Sequence, residues 1–91
     1  MTNADIISAL RLAGFYAVLV QQWDFIHVWS DTTPRGWLTV ELHTDDEDHP
    51  LRLCLDEPDT MWPFATLEEL VREVPRALAA WVPVQPGEGQ P

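Results

Sequence analysis

DFIHVWSDTTPRGWLTVELHTDDEDHPLRLCL, residues 24–55, is the stretch on which the fold turns. It holds three short runs rich in β-branched, aromatic and leucine residues, at 24–30, 37–43 and 51–55. Between them lie Asp-Thr-Thr-Pro-Arg-Gly at 31–36 and an acidic segment at 44–50, both of turn composition. A strand exposes alternate side chains to opposite faces, so register can be tested by parity. If Trp29 lies opposite Trp37, then Val28 meets Leu38, His27 meets Thr39 and Ile26 meets Val40. Carried into the next run, Leu42, Val40 and Leu38 face Leu51, Leu53 and Leu55, which sets Glu41 across from Arg52 as a cross-strand ion pair.

Residues 15–21 form a fourth run, joined through a tight turn at Gln22-Trp23 that sets Leu19 against Ile26 and Ala17 against Val28. One face of the predicted sheet is then aliphatic: Ala17, Leu19, Ile26, Val28, Leu38, Val40, Leu42, Leu51, Leu53 and Leu55. Before it, Ile6, Ile7, Leu10 and Ala13 recur at helical spacing over residues 3–13, with Thr2 or Asn3 as cap and Gly14 as stop. After it, 56–63 reads as a crossing loop with two prolines. Thr66 and Glu69 then form a capping box for a helix over 66–82, whose Leu67, Leu70, Val71, Val74, Leu78 and Trp81 make one stripe. Pro75 predicts a kink or a break within it. The Pro, Gly and Gln-rich residues 83–91 read as a flexible tail.

The predicted fold is α+β in the order α-β-β-β-β-α, a four-stranded antiparallel meander with both helices on its aliphatic face, in a single domain over residues 1–82. The opposite face carries Tyr16, Val18, Val20, Phe25, His27, Trp29, Trp37, Glu41, Arg52 and Cys54, aromatic at its centre and charged at its margin. Large contiguous apolar areas are uncommon on soluble monomers, so this face predicts an interface.

Composition supports a folded chain: 46% of residues are apolar and five are Trp, far from the aromatic-poor make-up of disordered segments. Fifteen Asp and Glu stand against five basic residues, all Arg, for a formal net charge of −10. Such a field repels phosphate and disfavours direct nucleic-acid binding, while it attracts basic protein surfaces and also favours solubility. The N-terminus shows no signal-peptide pattern and no apolar run nears the roughly 20 residues that span a bilayer, so the expected place is the cytoplasm. Cys54 is the only cysteine, which excludes an intrachain disulfide.

No motif for a cofactor or a catalytic centre is present. Glycine-rich phosphate loops, Gly-x-Ser-x-Gly and His-Glu-x-x-His are absent, and a non-enzymatic protein is expected. The segment His43 to His49 offers imidazoles and carboxylates, but lacks the alternating acids and glycine of a calcium loop, so no metal site is assigned. Cys54 and His27 share a face two strands apart, about 9.5 Å, too far for a thiolate–imidazole pair.

Two groups of residues are the candidate contacts. The acids Asp45, Asp46, Glu47 and Asp48, with Asp56, Glu57 and Asp59 at the other end of the last hairpin, form a ridge whose two halves lie roughly 13 Å apart, several phosphate spacings. A ridge of that kind can imitate nucleic acid on a basic surface, for instance one within a nucleic-acid-handling complex. The rings Tyr16, Phe25, Trp29 and Trp37 supply the second contact, or the interface of a homodimer if the chain is instead a structural or assembly subunit.

The opening helix, Ala13-Gly14-Phe15, the strand with His27, and Thr39-Val40 before His43 resemble the small messenger-RNA-cleaving toxins with a double-stranded-RNA-binding-like α-β-β-β-α fold. That family carries Gly-Ser-His at the start of the second strand, where this chain has Trp23-Asp24-Phe25, and its surface is basic. The resemblance therefore implies shape and not activity. In size, acidity and lack of motifs the chain is also similar to phage-encoded inhibitors of bacterial defence, of anti-CRISPR and anti-restriction type, which implies an inhibitor as the class of function.

Overall fold

A computed structural model describes residues 1–31, 38–55 and 60–80, and the side chains of Leu55 and Ala80 lie outside it together with the remaining residues. The order is α1 (Asn3–Leu12), β1 (Tyr16–Val20), β2 (Phe25–Trp29), β3 (Leu38–Leu42), β4 (Leu51–Leu55), β5 (Thr60–Phe64) and α2 (Leu67–Ala80). The strands form one antiparallel sheet in the order β1-β2-β3-β4-β5. Within β1 to β4 the predicted registers hold: Ala17 is opposite Val28, Ile26 opposite Val40, Val40 opposite Leu53 and Leu42 opposite Leu51.

The sheet has five strands rather than four, because Thr60–Phe64, within the predicted crossing loop and just after it, pairs with β4. Its alternation explains the pairing: Trp62 and Phe64 are partly buried against the core, while Met61 and Pro63 are exposed. Pro63 is tolerated because β5 is an edge strand, where a missing N–H need not break a ladder.

The core is the aliphatic face read from parity. Ile26, Val28, Leu38, Val40, Leu51 and Leu53 are fully buried and meet Ile6 and Leu10 of α1 and Leu70 and Val74 of α2. Both helices thus cover one face. Leu19 departs from the pattern at 37% exposure, since it lies on the edge strand β1.

Thr2, the nearer of the two predicted caps, starts α1: its side chain accepts from the Asp5 N–H at 3.2 Å while Asp5 accepts from the Thr2 N–H at 2.8 Å. Gly14, at φ 97°, turns the chain out of the helix, and Ala13 is an exposed C-cap rather than a core residue. The Thr66 hydroxyl accepts from the Glu69 N–H, and Glu69 accepts from the Thr66 N–H, closing the second capping box. Pro75 does not break α2, which runs continuously through it. An interior proline costs about 3 kcal/mol or more; the apolar stripe of Leu70, Val74, Ala77 and Leu78 buried on the sheet opposes that cost. The predicted end of the helix at residue 82 and the tail lie outside the described residues.

Truncation of Leu53, fully buried under α2, should lower the unfolding free energy by about 2–5 kcal/mol as Leu53→Ala, because a cavity adds to the lost transfer energy. Leu12→Ala, at a site 89% exposed, should stay within about 0.5 kcal/mol. Urea unfolding of both variants checks the assignment of the core.

Candidate contact surface

Both helices lie on one side, so among the described residues no helix covers the other side of the sheet, and its side chains fall into rows set by the strand registers. One row runs Val18, His27, Thr39, Cys54, Met61; the next runs Val20, Phe25, across to Glu41, Arg52, Pro63. Tyr16 opposes Trp29 at the far end. Among the described residues the aromatic part lies along β1 and β2, at one side of the sheet rather than at its centre, since β1 is an edge and β5 extends the opposite side. Trp37 lies outside the described residues.

Tyr16 and Trp29 stack with ring centroids 5.5 Å apart, and Phe25 stacks on His27 at 5.3 Å. Tyr16 is 47% exposed and Val18 41%, so the patch is open to contact, while Phe25 and Trp29 are half-buried. The Tyr16 hydroxyl donates to the Asp31 carboxylate; this bond first, the charge of Asp31 second and burial least raise its pKa above the ordinary tyrosine value. Thr39, in the middle of the face, is only 6% exposed and separates His27 from Cys54 by a strand, as the parity reading placed them.

The polar half is held differently from the sequence expectation. Glu41 and Arg52 are opposite one another in register, yet they form no ion pair. His43 Nε2 donates to Glu41 at 2.7 Å, and Arg52 Nη2 donates to Asp46 at 3.3 Å. The reason is local: Asp46 accepts from the His49 N–H at 3.0 Å, which fixes its carboxylate in the turn within reach of Arg52. The His49 N–H is also the main cause holding the Asp46 pKa below its ordinary value; partial burial opposes it and Arg52 adds to it.

Of the predicted acidic ridge, Asp45, Glu47 and Asp48 are exposed, whereas Asp46 belongs to the turn that closes β3 on β4. Asp56, Glu57 and Asp59 lie outside the described residues. Among the described residues no three His, Cys, Asp or Glu converge as a metal ion would need. No helix among them is long and apolar enough to cross a membrane.

Sequence reasoning missed three participants. Trp23, 63% exposed, projects from the β1–β2 turn, where Asp24 adopts φ 57° and accepts from Asn3 Nδ2 at 3.0 Å. Asp31 follows β2 and reaches Tyr16. Arg11 donates to the Ala17 carbonyl through Nε at 3.1 Å and Nη2 at 2.8 Å, and lines a groove of about 340 Å³ with Phe15, Tyr16, Ala17, Val18 and Trp29. The tryptophan in a polar turn was a visible signal; the other two depend on how α1 and the end of β2 sit beside β1.

Two titrations follow. Tyr16 is the sole tyrosine, so phenolate absorbance reads it alone. Its ionisation should occur above the usual tyrosine range and return toward it in Asp31→Asn; since the folded value is raised, the bond stabilises the fold at neutral pH and that contribution is lost as pH rises through the folded value. Asp46 has the opposite sign: its stabilisation is present at neutral pH and is lost as pH falls below the ordinary aspartate value through the depressed one. Asp46→Asn should therefore lower the urea midpoint at neutral pH, with the gap from the native chain closing in acid.

No protein-family model, curated protein or solved structure matches the chain.

Proposed function

We propose that the chain is a non-catalytic binding domain for a protein with a basic surface, such as one that holds nucleic acid, and that it acts as an inhibitor by occupying that surface. The observation that carries this reading is the apolar and aromatic side of β1 and β2, which neither helix covers and where Tyr16 and Val18 are exposed, on a chain of net charge −10. Charge draws a basic partner in and orients it, and Tyr16, Val18 and Trp29 supply the desolvated contact that holds it. The exposed carboxylates Asp45, Glu47 and Asp48 stand at one end of the β3–β4 hairpin, where they extend the attraction beyond the apolar patch. Self-pairing through the same face is less favourable, because each copy brings the same negative charge.

The test is capture from lysate of the source or host, washed at low and at high salt, with the retained protein identified by mass spectrometry. A basic partner released by salt is expected, with Trp29→Ala weakening retention about tenfold or more and charge reversal at Asp45, Glu47 and Asp48 slowing capture. A complex insensitive to salt, or unaffected by either set of changes, would sink the reading.

A further inference from the structure

The two edges of the sheet are not alike. At one edge β5 carries Pro63 and is blunted against a further strand. At the other, β1 reads Tyr-Ala-Val-Leu-Val, without charge or proline, and three of its five residues are large and exposed: Tyr16, Val18 and Leu19. Natural edges of this composition are usually protected. The Val20 carbonyl accepts from the N–H groups of Trp23 and Asp24 and so points into the turn toward β2, while the Ala17 carbonyl is taken by Arg11 from outside the sheet. Ala17 and Leu19 therefore direct their N–H and C=O groups outward, and among the described residues the partner found there is Arg11 on the Ala17 carbonyl, an exposed side chain able to swing away.

Beside this edge runs the groove of about 340 Å³, with Phe15 and Ala17 from the helix side of the sheet and Tyr16, Val18 and Trp29 from the open side. A groove walled from both faces of an edge strand is the space an added strand fills with its alternate side chains. The ends of the β1–β2 hairpin are marked by carboxylates, Asp24 in the turn beyond Val20 and Asp31 at Tyr16. A second copy of β1 is a poor occupant. Antiparallel self-pairing with Ala17 opposite Leu19 brings the Asp31 end of each copy to the Asp24 end of the other, like charge on like charge.

We propose that β1 is a strand-addition site for an extended segment of the basic partner, apolar in its middle and carrying Arg or Lys at both ends, with its N–H groups displacing Arg11 from the Ala17 carbonyl. This rests on the binding function above and names how the partner is held. Main-chain pairing with Ala17 and Leu19 supplies affinity, and Asp24 and Asp31 select the terminal cations.

The probe is a capped peptide of alternating Val and Thr with Arg at each end, titrated into the full chain while amide exchange is followed by NMR, beside an analogue with Glu at each end. Slowed exchange at the Ala17 and Leu19 amides with the Arg peptide, and none with the Glu peptide, is the expected result. Leu19→Pro should abolish it; because that variant can also disturb the strand, a peptide N-methylated along one edge repeats the test on the unaltered protein. Shifts confined to the Trp29 indole and the Tyr16 ring, with exchange at Ala17 and Leu19 unchanged, would overturn strand addition and leave the binding function of the open face intact. Failure of the Arg peptide to bind would overturn it as well, with salt-sensitive capture through Trp29 deciding the wider reading independently. Protection of both amides without any peptide, rising with protein concentration, would place a second copy on the edge and overturn the basic segment as occupant.

Discussion

Everything in this small domain depends on burying one face of a five-stranded sheet under two helices, which among the described residues leaves the other face without a helix over it. Ile26, Val28, Leu38, Val40, Leu51 and Leu53 come from three adjacent central strands and are fully buried, and Ile6, Leu10, Leu70 and Val74 close over them. A chain of 91 residues has no further helix among its described residues with which to cover the opposite side. Small domains bury a modest share of their surface, so the aromatic side chains opposite the core remain where a partner can meet them. The candidate contact surface is a consequence of the same period-2 alternation that builds the core.

That alternation also explains how much could be read in advance. The registers of β1 through β4 were legible because Ile26 with Val40 and Leu42 with Leu51 leave a single parity in which all the large aliphatics share a face. β5 was hidden by Pro58 and Pro63, which read as loop residues; the weaker signal was Trp62 and Phe64 at alternate positions, facing Leu53 and Leu51. Of the kink or break that Pro75 predicts, the break does not occur, since a proline rule is local and the burial of Leu70, Val74 and Leu78 is not.

The site was less legible than the fold, and for a physical reason. Which face Tyr16 and Trp29 share follows from parity, but the partners of polar groups depend on side-chain reach across turns. Arg52 was read as the partner of Glu41 from register alone, whereas the His49 N–H pins Asp46 and offers Arg52 a carboxylate that is already held in place. A preorganised acceptor costs less side-chain freedom to engage than a mobile one across the ladder. Glu41 then takes His43, two residues on and just past the end of β3. Arg11 at Ala17 is of the same kind, set by the packing of α1 beside β1 and invisible to spacing.

In the proposed binding function, charge and shape divide the work of recognition. Exposed ion pairs contribute about 0–1 kcal/mol each and fade beyond roughly 8 Å at physiological salt, so a charge of −10 spread over the surface cannot hold a partner by itself. Its effect falls on encounter and on the sign of the partner. Residence has to come from groups that lose water on contact, and in the described residues those are concentrated at β1 and β2: two stacked pairs of rings, the exposed Val18 and Leu19, and the outward main-chain groups of the edge. Dense acidity elsewhere opposes self-association through such a surface, because two copies that approach through it must also bring their charges together.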